Sequence, residues 1–301
     1  MEPLIVGTHV LWPQARRSAV RLVESLRTFG GARRAAPVWI QARADLAAAV
    51  ANDVRAPGLA PIVVSAVSAP EGMRAFPYAE KPYAAAQAER AARGAAGTLV
   101  WVDSDAVFLG EPRELLCAPP TALTYCPVMH NRSGVLIDAE PNAFWQRIYR
   151  LLELSDDLLF PMTTPADQVR IRAYFHCGLL AVVPERGILA RWQEDFERLA
   201  RDPKLTAMCA ANEDQRIFLH QAALTGAVLR TMEREEMRLL SERYNYPLFF
   251  ERRYATVRTF DSLAAAVVAR CLVHSENPEH AGPIELEGPR EKVAWLQARL
   301  P

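Results

Sequence analysis

Thr98-Leu99-Val100-Trp101-Val102-Asp103-Ser104-Asp105 is the stretch that decides how the rest of the chain is read. Leu99 to Val102 form a short run of apolar, β-prone residues, the pattern of a buried strand. Two carboxylates, Asp103 and Asp105, stand one residue apart where the run ends. A buried carboxylate without a partner is costly, and two this close repel each other. A hard divalent cation relieves both problems. Mg²⁺ and Mn²⁺ take oxygen ligands and commonly combine one or two carboxylates with substrate phosphates. The stretch therefore points to metal-assisted chemistry on a phosphorylated substrate, against the plainer alternative of a solvated Asp-x-Asp turn.

Upstream, strand and helix alternate. Residues 3–10 read as a strand, and 13–29 as a helix with Ala15, Ala19, Leu22, Val23, Leu26 and Phe29 on one face, ended by Gly30-Gly31. Residues 37–41 and 61–64 are two further strands, and the alanine-rich 83–93 is a helix leading into the Asp-Ser-Asp strand. This alternation implies an α/β fold with a mostly parallel sheet covered by helices on both faces. Ligands of such sheets bind outside the carboxyl ends of the strands, where Asp103 and Asp105 stand. Downstream the pattern is more mixed. Strands are expected at 122–128 and at 173–183, the latter interrupted at Gly178. Helices are expected at 142–154, 188–199 and about 214–224, and the polar, proline-bearing 155–170 is expected as a loop over the site.

Composition narrows the function classes. The chain has 301 residues, half of them hydrophobic, and a formal net charge of zero. That charge gives no general attraction for nucleic acid or an acidic membrane. The N-terminal residues lack the basic and apolar regions of a signal peptide. The longest apolar stretch, 263–273, is broken by Arg270 and is too short to span a bilayer. Five cysteines, an odd number without Cys-x-x-Cys spacing, suit a reducing cytoplasm.

The order of motifs resembles the GT-A fold glycosyltransferases, closest to the glycogenin and lipopolysaccharide galactosyltransferase type of family 8. Val102-Asp103-Ser104-Asp105-Ala106-Val107-Phe108-Leu109 resembles that family's Leu-Asp-Ala-Asp-x-x-x-Leu signature. The opening strand with Thr8 near its end, and Lys81 in Glu-Lys-Pro-Tyr-Ala, resemble the family's nucleotide-binding start and the basic residue before its acidic motif. Tyr174 to Leu180 is similar to Phe-Asn-x-Gly-Val, Asn212-Glu213-Asp214-Gln215 to its Asp-Gln element, and Val273-His274-Ser275-Glu276-Asn277 to its late histidine segment.

The resemblance implies one GT-A domain over 1–301, with a nucleotide-binding half (1–110) and a sugar and acceptor half (111–301). It implies a metal-dependent, retaining hexosyltransferase using a nucleotide-diphosphate sugar, with uridine as the base. The acceptor is an unknown saccharide, lipid-linked or protein group. By the same resemblance Asp103, Asp105 and His274 hold Mn²⁺ or Mg²⁺, with His280 a near rival of His274. Thr8, Lys81, Asp103, His176 and Gly178 bind the donor, and Asp214 and Gln215 act on the sugar. His176 stands where the family has asparagine, which opens the identity of the donor sugar. Asn245 and the segment Met129-His130-Asn131-Arg132 are further candidates for lining the site.

Two other classes stay open. One is a catalytically inactive nucleotide-sugar-binding subunit, kept alive by His176. The other is a haloacid-dehalogenase-type phosphatase in which Asp103 attacks phosphorus and Asp105 is the acid. Against it, the motif follows three strand-helix units, no lysine falls between Lys81 and Lys204, and Asp156-Asp157 sits in a loop-like region.

Overall fold

The computed structural model describes residues 3–248, 263–271 and 286–300. The first half alternates as the sequence indicates: β1 (Leu4–Val10), α1 (Ala15–Phe29), β2 (Val38–Arg43), α2 (Ala47–Asp53), β3 (Ile62–Val67), α3 (Glu80–Ala92) and β4 (Thr98–Val102). There follow β5 (Ala106–Phe108), β6 (Leu123–Pro127), α4 (Ala143–Leu151), β7 (Pro161–Thr163), β8 (Arg170–Arg172), β9 (Phe175–Val182), α5 (Ile188–Ala200), α6 (Pro203–Ala211) and α7 (Glu213–Thr231). The last elements are β10 (Met237–Leu239), β11 (Tyr246–Pro247), β12 (Val268–Arg270) and α8 (Arg290–Gln297).

The main sheet has the order β10-β6-β9-β4-β1-β2-β3. Strands β3, β2, β1 and β4 run parallel, and β9 enters antiparallel to both β4 and β6. Central strands of this kind are buried on both faces, and every residue of β1 and β4 is buried. Alternation along β4 splits its side chains between two cores. Val100 and Val102 pack with Leu22, Val23 and Leu26 of α1, whereas Leu99 and Trp101 pack with the alanine face of α3 and with α5 and α7. That alanine face, Ala84, Ala85 and Ala88, lets α3 approach the sheet closely. A smaller core lies under the three-stranded sheet β11-β12-β5.

The structure departs from the sequence expectation in three places. Residues 155–170 are not a plain loop: β7 pairs antiparallel with β8, and Leu136 bridges to Ile171. Strand β9 is not interrupted at Gly178 but runs through it, because its pairing with β4 fixes the backbone on that side. Helix α7 continues past 224 to Thr231, with an apolar face buried against α5.

Candidate functional site

From β1 the chain steps to β2 and β3 on one side, then returns through α3 to place β4 on the other side of β1. The crevice at the carboxyl ends of β1 and β4 is thus a topological switch point, the usual ligand site of an open α/β sheet. His9, near the end of β1, and Asp103, just past β4, meet there. The His9 Nε2–H donates to Asp103 Oδ1 at 3.0 Å.

Lys81 joins them from the first turn of α3. Its ammonium lies 2.6 Å from Asp103 Oδ1 and donates to Cys177 Sγ at 3.2 Å. Lys81 is 2% exposed, so it is no surface lysine. Arg270, at the end of β12, closes the cluster. Its Nη2 is 3.3 Å from Asp103 Oδ2 and 3.0 Å from Asp105 Oδ2. Its Nη1 is 3.0 Å from His176 Nε2. Two carboxylates and two cations therefore neutralise one another in a nearly closed space, with Asp103 7% and Asp105 0% exposed.

Electrostatics follow from this geometry. Burial alone would raise the Asp103 carboxyl, but Lys81, Arg270 and His9 outweigh it and hold it well below the usual carboxylate range. Burial would lower Lys81 and Arg270; the aspartates outweigh it and move both upward, so both stay charged. Burial and the Arg270 charge hold His176 neutral. Its Nδ1 faces the Gly178 N–H at 3.0 Å while Nε2 faces Arg270. A neutral imidazole accepts at one nitrogen only, so just one of these contacts is a hydrogen bond in any tautomer. Beneath Lys81 the order is unambiguous. The His220 Nδ1–H donates to Ile217 O at 2.8 Å, leaving Nε2 to accept from the Cys177 thiol at 3.3 Å.

Gly178 is required by close approach. A Cβ there would overlap Asp103 Oδ2 and lie 2.5 Å from Arg270 Nη1 and 2.6 Å from His176 Cε1. Asp214 and Gln215 open α7 behind an Asn212 cap, whose side chain accepts from the Gln215 N–H at 3.0 Å. Asp214 pairs with Arg132 at 2.7 Å, and it stands roughly 9 Å along α7 from His220 by helical rise. The Met129–Arg132 segment is tied down: Asn131 N–H donates to Asp167 at 2.9 Å and Ala166 N–H to Met129 O at 2.8 Å.

The cluster therefore brings together Lys81, Asp103, Asp105, His176 and Gly178. Thr8 is not brought in: it is fully buried on the face of β1 shared with Val6 and Val10, opposite His9. His274 and His280 lie outside the described residues. Asn245 is a left-handed turn residue (φ 57°), 2% exposed. Sequence reading missed His9, Cys177, His220 and Arg270. His9 carried a faint signal, a polar residue near the end of an apolar strand. Arg270 showed only as the charge interrupting an apolar run.

A family model described as the Rhodobacterales glycosyltransferase domain matches residues 13–231. No curated protein matches the chain. Among solved structures, mouse xyloside xylosyltransferase 1 is similar at 11% identity with a TM-score of 0.51, over 92% of this chain and 100% of that one. A galactosyltransferase LgtC complex with donor and acceptor sugar analogues is similar at 14% identity with a TM-score of 0.46, over 97% and 100%. The fold is that of the GT-A glycosyltransferases.

Proposed function

The chain belongs to the Rhodobacterales glycosyltransferase domain family, and we propose that it moves a hexose from a nucleotide-diphosphate sugar, with uridine the base, to a hydroxyl-bearing acceptor. The observation that carries this reading is the buried cluster of Lys81, Asp103, Asp105 and Arg270 at the switch point of the sheet. Leaving of the diphosphate breaks the bond from its oxygen to the anomeric carbon and leaves the electron pair, and the growing negative charge, on the diphosphate. Preorganised cations in a nearly dry site stabilise such charge far more than they do in water. Lys81 and Arg270 are those cations, and the aspartates fix where they point.

The remaining residues take supporting roles. Gly178 lets the donor sugar approach the β9 backbone. Asp214 and Gln215 contact its hydroxyls, and Arg132 then has to share Asp214 with the sugar. The segments 128–134 and 164–169, bound to each other, form the acceptor wall. The chain offers no evident glutamate nucleophile, and retention then proceeds on one face with help from the leaving phosphate. Residues 1–110 bind the nucleotide, with Arg270 reaching in from the remainder, which otherwise handles sugar and acceptor. Five buried cysteines outside any disulfide support a reducing compartment such as the cytoplasm, and among the described residues no helix is long and apolar enough to cross a membrane.

Thermal unfolding with a panel of nucleotide diphosphates and nucleotide sugars tests the proposal. A ligand at 100 times its dissociation constant adds about 2.7 kcal/mol. One nucleotide class is expected to shift the transition, and its sugar form to turn over with acceptor or water. Binding without either transfer or hydrolysis selects the inactive-subunit reading instead. No shift with any nucleotide at millimolar concentration refutes the proposal, and phosphate release from simple monoesters would put the phosphatase reading in its place.

A further inference from the structure

The Asp103/Asp105 pair does not fit a divalent cation as it stands. One nitrogen, Nη2 of Arg270, lies within 3.3 Å of Asp103 Oδ2 and 3.0 Å of Asp105 Oδ2, where an ion bridging the carboxylates would have to sit. The other Asp103 oxygen is taken by Lys81 and His9. Asp105 Oδ1 is left as the one oxygen of the pair with no partner among the described residues, and Asp105 is fully buried. Mg²⁺ keeps several waters when bound, and among the described residues a single enclosed oxygen is not a ligand set. No three His, Cys, Asp or Glu side chains among the described residues are placed to hold a metal.

We propose that donor binding in this chain needs no divalent cation: the Arg270 guanidinium holds the seat between Asp103 and Asp105 and, with Lys81, meets the donor's diphosphate. The inference rests on the nucleotide-sugar reading above. A guanidinium suits the task. It is planar, always charged and presents a fork of donors that matches phosphate oxygens. Arg270 also has a donor to spare, since its buried Nε has no partner among the described residues. Its Nη1 faces a histidine nitrogen that a phosphate oxygen would outbid. A second observation agrees. Gly178 leaves the space in which Nη1 sits, because a Cβ there would come within 2.5 Å of it. The bare backbone at 178 therefore makes room for the arginine as well as for a sugar.

The experiment has two arms on the full chain. In the first, calorimetric titration measures the Kd of uridine, guanosine, adenosine, cytidine and thymidine diphosphates with EDTA and with MnCl2. The nucleotide that binds best is expected to keep its Kd within about twofold between the two buffers, and Arg270→Gln to weaken it about tenfold or more in EDTA. Arg270→Lys, which retains charge without the fork, is expected to fall between them. Loss of wild-type binding in EDTA overturns the inference and needs no variant to fold. In the second arm, Mn²⁺ alone is titrated and followed by electron paramagnetic resonance. The wild type is expected to leave the ion free; a bound signal that Asp105→Asn removes overturns the inference. If no nucleotide binds in either buffer, the proposed function fails, and the Mn²⁺ arm still decides whether Arg270 or an ion holds the seat.

Discussion

Lys81 and Asp103 form the pair whose removal is most informative. Their charged atoms are 2.6 Å apart and both residues are more than nine-tenths buried. At an effective dielectric of about 20, the Coulomb attraction at this distance is roughly 6 kcal/mol. Desolvation of both groups cancels most of it, so the pair as a whole stabilises the fold little. Removing one partner is different, because the other stays buried. Asp103→Asn leaves the Lys81 ammonium against a neutral amide and the Cys177 thiol, with an expected loss of about 3–5 kcal/mol. Lys81→Met keeps the apolar stem and leaves Asp103 to Arg270 and His9, with a smaller expected loss of about 2–4 kcal/mol. The double variant removes both charges and should cost less than the sum, with a coupling energy of about 2 kcal/mol or more. Equilibrium urea unfolding of the four proteins at neutral pH measures the cycle. Additivity within about 0.5 kcal/mol would refute the claim that these two charges are held against each other in a low-dielectric space.

Three further outcomes follow from other contacts. Gly178→Ala forces a methyl into Asp103 Oδ2 and Arg270 Nη1; it should destabilise by about 1–3 kcal/mol as overpacking and weaken nucleotide binding in the same calorimetric titration, and an unchanged Kd would deny that 178 borders the donor. Glu89 is fully buried, and both its oxygens accept from the first N–H groups of α5, Leu189 at 3.0 Å and Ala190 at 2.8 Å. Burial pushes its carboxyl up to about 7 from 4.5. The folded state thus binds the proton more tightly than the unfolded chain, so Glu89's contribution is complete below pH 4.5 and shrinks as pH rises through 7. The total change is about 3 kcal/mol. The unfolding free energy of wild type minus that of Glu89→Gln should fall by that amount from pH 4.5 to 8, and a difference that stays flat or rises with pH contradicts it. Asp202 caps α6 through the Leu205 N–H at 2.9 Å and pairs with Arg147. Asp202→Ala should lower stability by about 1–2 kcal/mol in urea unfolding, and a neutral result would show the cap to be dispensable.

The sequence by itself determined the layered α/β architecture. The spacing of Leu22, Val23 and Leu26, the apolar runs ending at Val10 and Val102, and the paired glycines after Phe29 are local signals, each fixed by a few neighbouring residues. It also placed Asp103 and Asp105 just past the end of a buried strand, since that follows from where an apolar run stops. Short elements escaped it. Strands β5 and β12 have three residues each and depend on pairing across more than 150 positions of chain. What only the tertiary structure decided is the company of the carboxylates. From the sequence, two aspartates one residue apart call for a cation, and a metal is the natural candidate. The fold answers with Lys81 from a helix 22 residues upstream of Asp103 and Arg270 from a strand 165 residues downstream of Asp105. Compensation of buried charge is a matter of distance in space, and no periodicity along the chain encodes which distant cation arrives there.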